Sequence, residues 1–397
     1  AMIVRLNTLL RGGAAISPAV AEHLRACINA GLTPVVGETG SIGAGDLVLN
    51  ATMARLLFGD GEMADHEGTI RPASEALRAA GLTPPALGPR DGLALCSHSS
   101  FSAGIAALGV TACWRAFEAA QTAAALSMEG FRANLGAFDA GVLAQRPQPG
   151  QAEAAQGIRE RLSGSALWEA GAARRLQDPM SIRCLPQIHG AVHAALAFAR
   201  DAAAADINGA SDNPVALPDA RVIASTGGYH TPHLTNACET LARAMSQLAM
   251  AQTARIAKLL ATRFTDLPAF LATGDNRTNG FAPALKTAEA AAAEIAHAAQ
   301  PAPIWPSVSA DGVEDTMTNT PVAANALRRI AAQARIGTAV ELLVAAQAVE
   351  LRRTALGPRL QGVFEQIRAV SPSLDTDRAL GPELDALAAR IDTGAFG

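Results

Sequence analysis

Gly92-Leu93-Ala94-Leu95-Cys96-Ser97-His98-Ser99-Ser100-Phe101-Ser102-Ala103-Gly104-Ile105-Ala106-Ala107-Leu108-Gly109-Val110-Thr111-Ala112-Cys113-Trp114 carries no charged residue. A continuous apolar run of about 18 or more residues would suggest a membrane span. Here Ser97-His98-Ser99-Ser100 interrupts the first part, so the stretch reads as a loop feeding a buried helix. That helix continues through an alanine-rich segment to about residue 129. Alanine is the best helix former, and its small side chain lets helices approach closely. The reading is therefore a mainly α fold, a long-helix bundle, with no membrane partner.

Outward from this stretch the pattern stays helical. Candidate helices cover 101–129, 151–163, 188–205, 231–262, 279–298 and 319–353, several longer than the usual mean of about 11–12 residues. The breaks between them are rich in Gly, Pro, Asn and Asp: Arg146 to Gly150, Asn208 to Pro214, Gly274 to Gly280 and Pro301 to Gly312. N-terminal to the bundle, Pro18 to Ala30 reads as a helix. A glycine-punctuated loop follows from Thr33 to Asp46, with Ser41 and Asp46 as possible caps for the apolar segment Leu47 to Phe58. We expect one mostly helical domain over 1–397, with 1–100 a loop-rich cap region and 101–397 the bundle. Met2 to Asn7 already reads as mid-helix, which suggests a chain lacking an N-terminal region.

Composition narrows the function classes. The 397 residues have a net charge of −4, 49% hydrophobic and 4% aromatic content. A weakly acidic balance argues against a nucleic-acid partner, which would need a basic face. Five scattered cysteines with no CxxC indicate neither a disulfide framework nor a zinc knuckle. No secretory signal is legible, so the expected location is cytoplasmic. Among 32 basic residues only Lys258 and Lys286 are lysines, and Tyr229 is the single tyrosine; each therefore merits separate inspection.

Six segments can carry chemistry. Gly40-Ser41-Ile42-Gly43-Ala44-Gly45-Asp46 resembles a phosphate loop only superficially and equally suits a tight turn capping a helix. Gln177 to Gly190 places Arg183 and Gln187 just before a helix; a guanidinium there could pair bidentately with a carboxylate or form a structural ion pair. His189 and His193 have the i, i+4 spacing of metal ligands, but without an HExxH pattern a hydrogen-bonded core pair is the better reading, and no metal is expected. Asn208 to Pro214, containing Asn213, is a binding loop or a helix-terminating turn. Tyr229 stands on a glycine turn before a long helix, where it either reaches a cleft or packs at the helix entry. Lys286 enters a very apolar helix; burial would lower its pKa toward acid/base use, whereas snorkelling would leave it in solvent. Ser309 to Asp315, with Glu314, is acidic and precedes the last long helix, where some carboxylates serve as caps anyway.

In order and spacing, Gly40 to Leu47, Gly92-Leu93-Ala94-Leu95, Phe138-Asp139, Arg146 to Gln151, Gln177 to Gly190, Ser211 to Pro214 and Leu267 to Leu271 resemble the histidine/phenylalanine ammonia-lyase superfamily over nearly the whole chain. The resemblance implies a homotetramer with a central helical bundle, active sites assembled from several subunits, and a small amino-acid-like substrate. It also implies the methylidene-imidazolone (MIO) electrophile, made from consecutive Ala-Ser-Gly. Here that stretch is Ala44-Gly45-Asp46, with no serine to dehydrate, so we expect no cofactor from this degenerate loop. Ser97, beside His98, stands where the family carries Asn, and Met180 where it carries Tyr. Against the family, the 397 residues look short by an N-terminal segment on the order of 100 residues.

Arg183, Gln187 and Glu314 survive. A branch of the superfamily resembling ergothionase dispenses with MIO, because a quaternary ammonium is already a good leaving group. On that resemblance Lys286, Glu314 and Tyr229 are the candidate catalytic residues. Arg183, Gln187, Asn213, Ser97 and His98 are the candidate substrate-binding residues. The expected function is an MIO-independent carbon–nitrogen lyase. The alternatives are a cyclase or aminomutase-related enzyme, and a non-catalytic or partner-dependent subunit completed by a separate N-terminal polypeptide.

Overall fold

Alanine and leucine recur at helical spacing, and in the computed structural model, which describes residues 1–273 and 278–397, those segments are helices. The loop read from Gly274 to Gly280 lies partly outside the described residues. The helices are α1 (Met2–Leu9), α2 (Pro18–Asn29), α3 (Leu47–Leu57), α4 (Ala73–Ala79), α5 (Asp91–Cys96), α6 (Ser100–Phe131), α7 (Ala140–Ala144), α8 (Gln151–Arg161), α9 (Met180–Arg183), α10 (Leu185–Asn208), α11 (Pro232–Leu259), α12 (Thr262–Thr265), α13 (Ala282–Ala298), α14 (Thr320–Arg352), α15 (Pro358–Arg368) and α16 (Gly381–Asp392). Short antiparallel strands, β1 (Thr33–Pro34), β2 (Glu62–Ala64) and β3 (Ile70–Pro72), form one small sheet; β4 (Val215–Leu217) and β5 (Val222–Ala224) form a hairpin.

The chain packs as two compact units, and their division does not fall at residue 100. The first comprises 1–108, 199–239 and 301–325; the second comprises 109–198, 240–300 and 326–397. The first unit thus takes the ends of four long helices together with the loops that carry most of the chemistry-bearing motifs. Sequence proximity cannot reveal this grouping, because its three segments are far apart along the chain.

In the second unit the core is built from small side chains. Ala123, Ala124, Ala125, Leu126 and Met128 of α6 pack with Val340, Leu342, Leu343, Val344 and Ala345 of α14, all fully buried. A Cβ on Gly130 would lie 2.8 Å from Ala348 Cβ, so the two helices approach too closely there for a side chain at residue 130. The apolar window within Asp91–Phe131 is long and apolar enough to cross a membrane, but 61% of it is buried inside the chain, as suits a core helix. In the first unit Leu24, Cys27, Met53, Leu56, Leu57, Leu77 and, from β2, Met63 form a separate core.

His189 departs from expectation. It is fully buried, yet neither ring nitrogen has a hydrogen-bond partner among the described residues. It packs against Phe117 at 5.6 Å, and His193 sits near Trp114 at 5.9 Å. Burial holds its pKa well below the ordinary histidine value. The pair is an aromatic-packed one rather than a hydrogen-bonded one. No group of three or more metal-ligating side chains occurs among the described residues.

Candidate active site

The glycine loop is held from both sides within the first unit. Gly43 has φ +79° and Gly45 φ +77°, left-handed values that glycine adopts without a Cβ penalty. Ala44 forms an isolated antiparallel bridge with His230, which seats the loop beside Tyr229. An ideal Cβ on Gly45 would lie 3.6 Å from Tyr229 Cβ and Cδ2, and 3.7 Å from Ser97 Oγ. The structure therefore brings the loop, Tyr229 and Ser97 together.

Asp46 begins α3, but its side chain does not cap the helix. It accepts from Ser41 Oγ at 2.5 Å, and from Ser102 N and Oγ, each at 2.8 Å. It is 1% exposed, and burial raises its pKa against those hydrogen bonds. Asp46 is thus spent on cross-linking the loop to α6, and Ser41 on holding Asp46.

Asn50, which the sequence reading passed over, is the loop's main strut. Its Nδ2 donates to Gly45 O (3.0 Å), Cys96 O (3.1 Å) and His98 O (2.6 Å), sharing two hydrogens among three carbonyls. His98 N also donates to Gly45 O at 3.1 Å. Asn50 thereby fixes Gly45 relative to both neighbours of Ser97. Its sequence signal is a lone amide in the middle of an apolar helix, where asparagine is disfavoured unless it has work to do. Asn50→Ala removes this donor from Cys96 O and His98 O while Gly45 O keeps His98 N, so it should cost about 2–3 kcal/mol of stability in urea unfolding.

A second strut is a cluster of four buried threonines. Thr320 Oγ1 lies 2.6 Å from Thr231 Oγ1 and 2.7 Å from both Thr235 Oγ1 and Thr318 Oγ1; Thr318 Oγ1 donates to Gly43 O at 3.0 Å. Thr235 Oγ1 and Thr320 Oγ1 also reach Thr231 O, at 3.2 and 3.4 Å, so the four side chains share their hydrogens within the cluster. The hydroxyls form a chain directed at Gly43.

His98 is fully buried, with Nε2 3.0 Å from Leu95 O and Nδ1 accepting from Ser100 N at 3.4 Å. Burial, with a contribution from Arg5, keeps it neutral. It is a structural link in the turn that carries Ser97. Asn213 Oδ1 accepts from Thr226 N at 2.9 Å, holding the turn that leads to Tyr229. Glu314 is half-buried on a loop where its N–H donates to Ser309 O at 3.2 Å.

Arg183, Gln187 and Lys286 belong to the second unit. Arg183 ends α9 and Gln187 lies in the first turn of α10; both are exposed. Lys286 is exposed too, the solvent-reaching one of the two alternatives its sequence left open. The inward stripe of α13 is Ala284, Ala288, Ala291 and Ile295. Lys286 stands midway between the first two, on the opposite side of the helix.

Asp206, within the first unit, has its pKa raised by burial from 3.8 to about 6, with His233 opposing. The folded chain therefore binds this proton more tightly than the unfolded chain does. Its contribution to stability is complete below pH 3.8 and is lost as pH rises through about 6. Asp206→Asn should flatten the stability–pH curve over that window, as read by urea titrations at stepped pH.

The family model for aromatic amino acid lyases matches residues 1–369. Histidine ammonia-lyase of Anaeromyxobacter dehalogenans is 36% identical over 407 aligned positions, spanning 100% of this chain and 80% of the relative. That of Rhodospirillum rubrum is 35% identical, with 100% and 78% coverage. Among solved structures, ergothionase from Treponema denticola superposes with TM-score 0.93 at 28% identity, covering 100% of this chain and 80% of its own. Histidine ammonia-lyase from Trypanosoma cruzi gives 0.92 at 28%, with 100% and 76% coverage. Tyrosine aminomutase from Streptomyces globisporus gives 0.92 at 29%, with 100% and 79% coverage. The architecture is thus the ammonia-lyase fold. The chain belongs to the aromatic amino acid lyase family.

The residues present do not fit the family's electrophile. Ala44 is followed directly by Gly45, which has no hydroxymethyl group to lose. The nearest serine in sequence, Ser41, donates its hydroxyl to Asp46 and accepts from Gly43 N at 3.0 Å.

Proposed function

We propose that the chain is an MIO-independent carbon–nitrogen lyase that eliminates an amine from a small amino-acid-like or betaine acid. The observation that carries the reading is Gly45, flanked by Tyr229 and Ser97, where an electrophile-forming serine would be needed. Without a covalent electrophile the leaving group must depart unaided, and a quaternary ammonium does so as a neutral amine. A base removes the carbon-bound proton, the carbon–carbon double bond forms, and the C–N electron pair leaves with the amine.

In this proposal Arg183 holds the substrate carboxylate, with Gln187 beside it. Tyr229, Glu314 and Lys286 are the candidates for proton transfer, with Ser97, His98 and Asn213 as further candidate binding residues. A homotetramer completes the site, and its subunit contacts supply the environment that Lys286 lacks in the single chain. Five free cysteines suit a reducing, cytoplasmic setting.

The test is a screen of betaine and α-amino acids for released amine, with a near-ultraviolet difference spectrum of the purified protein. We expect release from a betaine and no MIO-like absorbance. Turnover of His, Phe or Tyr, or an MIO-like chromophore, overturns MIO independence. Absence of release from every substrate favours the non-catalytic or partner-dependent reading.

A further inference from the structure

The second unit buries a complete ion pair. Arg255 and Glu341 have side chains 0% exposed. Arg255 Nε donates to Glu341 Oε1 at 2.8 Å, and Nη2 to Oε2 at 3.0 Å. Ser127 Oγ donates to Oε1 at 2.8 Å and Gln252 Nε2 to Oε2 at 2.9 Å, so each carboxylate oxygen accepts twice. Gln252 also reaches Thr338 Oγ1 at 3.1 Å. Burying two charges is costly, and apolar residues of similar volume often serve stability as well or better. Stability alone is therefore a weak reason for the pair.

One contact leaves this network. Arg255 Nη1 donates to Ser181 O at 3.3 Å. Ser181 lies in α9, a helix of four residues that ends at Arg183. So short a helix cannot satisfy its own C-terminal carbonyls or fix its own direction. Its interior side, Ser181 and Ile182, is buried, while Arg183 projects outward. Glu341 holds the Arg255 fork from behind, and the fork meets an orphan carbonyl two residues before Arg183. A cation at a helix C-terminus is also electrostatically favoured.

We propose that Arg255, locked by Glu341, is a positioning residue that sets where the Arg183 guanidinium stands. The proposal rests on Arg183 as the carboxylate anchor. Its physical content is that α9 is registered by a buried charge network rather than by its own hydrogen bonds.

The test compares wild type, Arg183→Ala, the paired replacement Arg255→Met/Glu341→Leu, and the triple variant. One readout is amide hydrogen exchange in residues 180–184. The other is the affinity of trans-3-phenylpropenoate, an unsaturated acid of the kind an elimination leaves, measured by calorimetry. The paired variant should keep the wild-type melting temperature, exchange faster in 180–184 and bind the acid about tenfold more weakly. The triple variant should bind no worse than Arg183→Ala, because the effect runs through Arg183. Should the paired variant not fold, Arg255→Lys replaces it; it keeps the charge against Glu341 but cannot fork to both partners. Unchanged exchange in 180–184, or a triple variant whose loss adds to that of Arg183→Ala, overturns the proposal. Wild-type affinity in Arg183→Ala instead overturns the anchoring role of Arg183, while the exchange result still decides whether Arg255 registers α9.

Discussion

Gly43→Ala should destabilise the protein by about 3–5 kcal/mol, a large share of the ~5–15 kcal/mol that holds a typical domain folded. At φ +79° an L-residue is strained by about 1–2 kcal/mol before any contact is counted. The added Cβ would then sit 2.0 Å from Thr318 Oγ1 and 3.0 Å from the backbone nitrogens of Asn319 and Thr320. Turning Thr318 aside would relieve the first overlap only by breaking its bonds to Gly43 O and Thr320, at about 1 kcal/mol each. Two backbone contacts would still remain. Urea unfolding checks the expectation, with Gly37→Ala as the control, since nothing lies within 4 Å of a Cβ there. The control should change stability by less than about 0.5 kcal/mol. Equal effects at both positions would show that the threonine chain does not brace the loop.

Arg183→Ala should lower kcat/KM on a carboxylate substrate by roughly 10²–10³-fold, the loss of two charge-assisted hydrogen bonds. Arg183→Lys should recover only part of this, because an ammonium cannot reproduce the planar fork. Arg183 is exposed, so neither variant should shift stability beyond about 0.5 kcal/mol. A substrate whose carboxylate is replaced by an amide should be turned over equally poorly by wild type and Arg183→Ala. A loss under threefold in Arg183→Ala would remove Arg183 from carboxylate binding.

The main helices were legible because their signal is local. Alanine-rich periodicity over 101–129, 188–205 and 319–353 marks α6, α10 and α14 to within about three residues. The small strands and the C-terminal helices α15 and α16 were not foreseen; the strands are two or three residues long and carry no clear alternation. The exposure of Lys286 was readable from its place opposite the alanine stripe, but its rarity drew attention to chemistry first. The full burial of His98 was not readable locally, since Arg5, whose charge adds to the lowering of its pKa, is remote along the chain.

By itself the sequence determined that this is a long-helix protein of the ammonia-lyase kind, because helical period, alanine content and the order of short motifs are properties of the chain alone. It also determined that Ala44 meets Gly45 with no serine between them, since covalent chemistry needs the atom to be present. Only the tertiary structure decided that Gly45 faces Tyr229 and Ser97, that Asn50 and four threonines hold the loop, and that a buried Arg255–Glu341 pair reaches α9. Apart from the bond of Asn50 to Gly45, five positions away, these contacts join residues tens to hundreds of positions apart. Such contacts arise from burial and from the need to satisfy every polar group removed from water, and no local pattern encodes them.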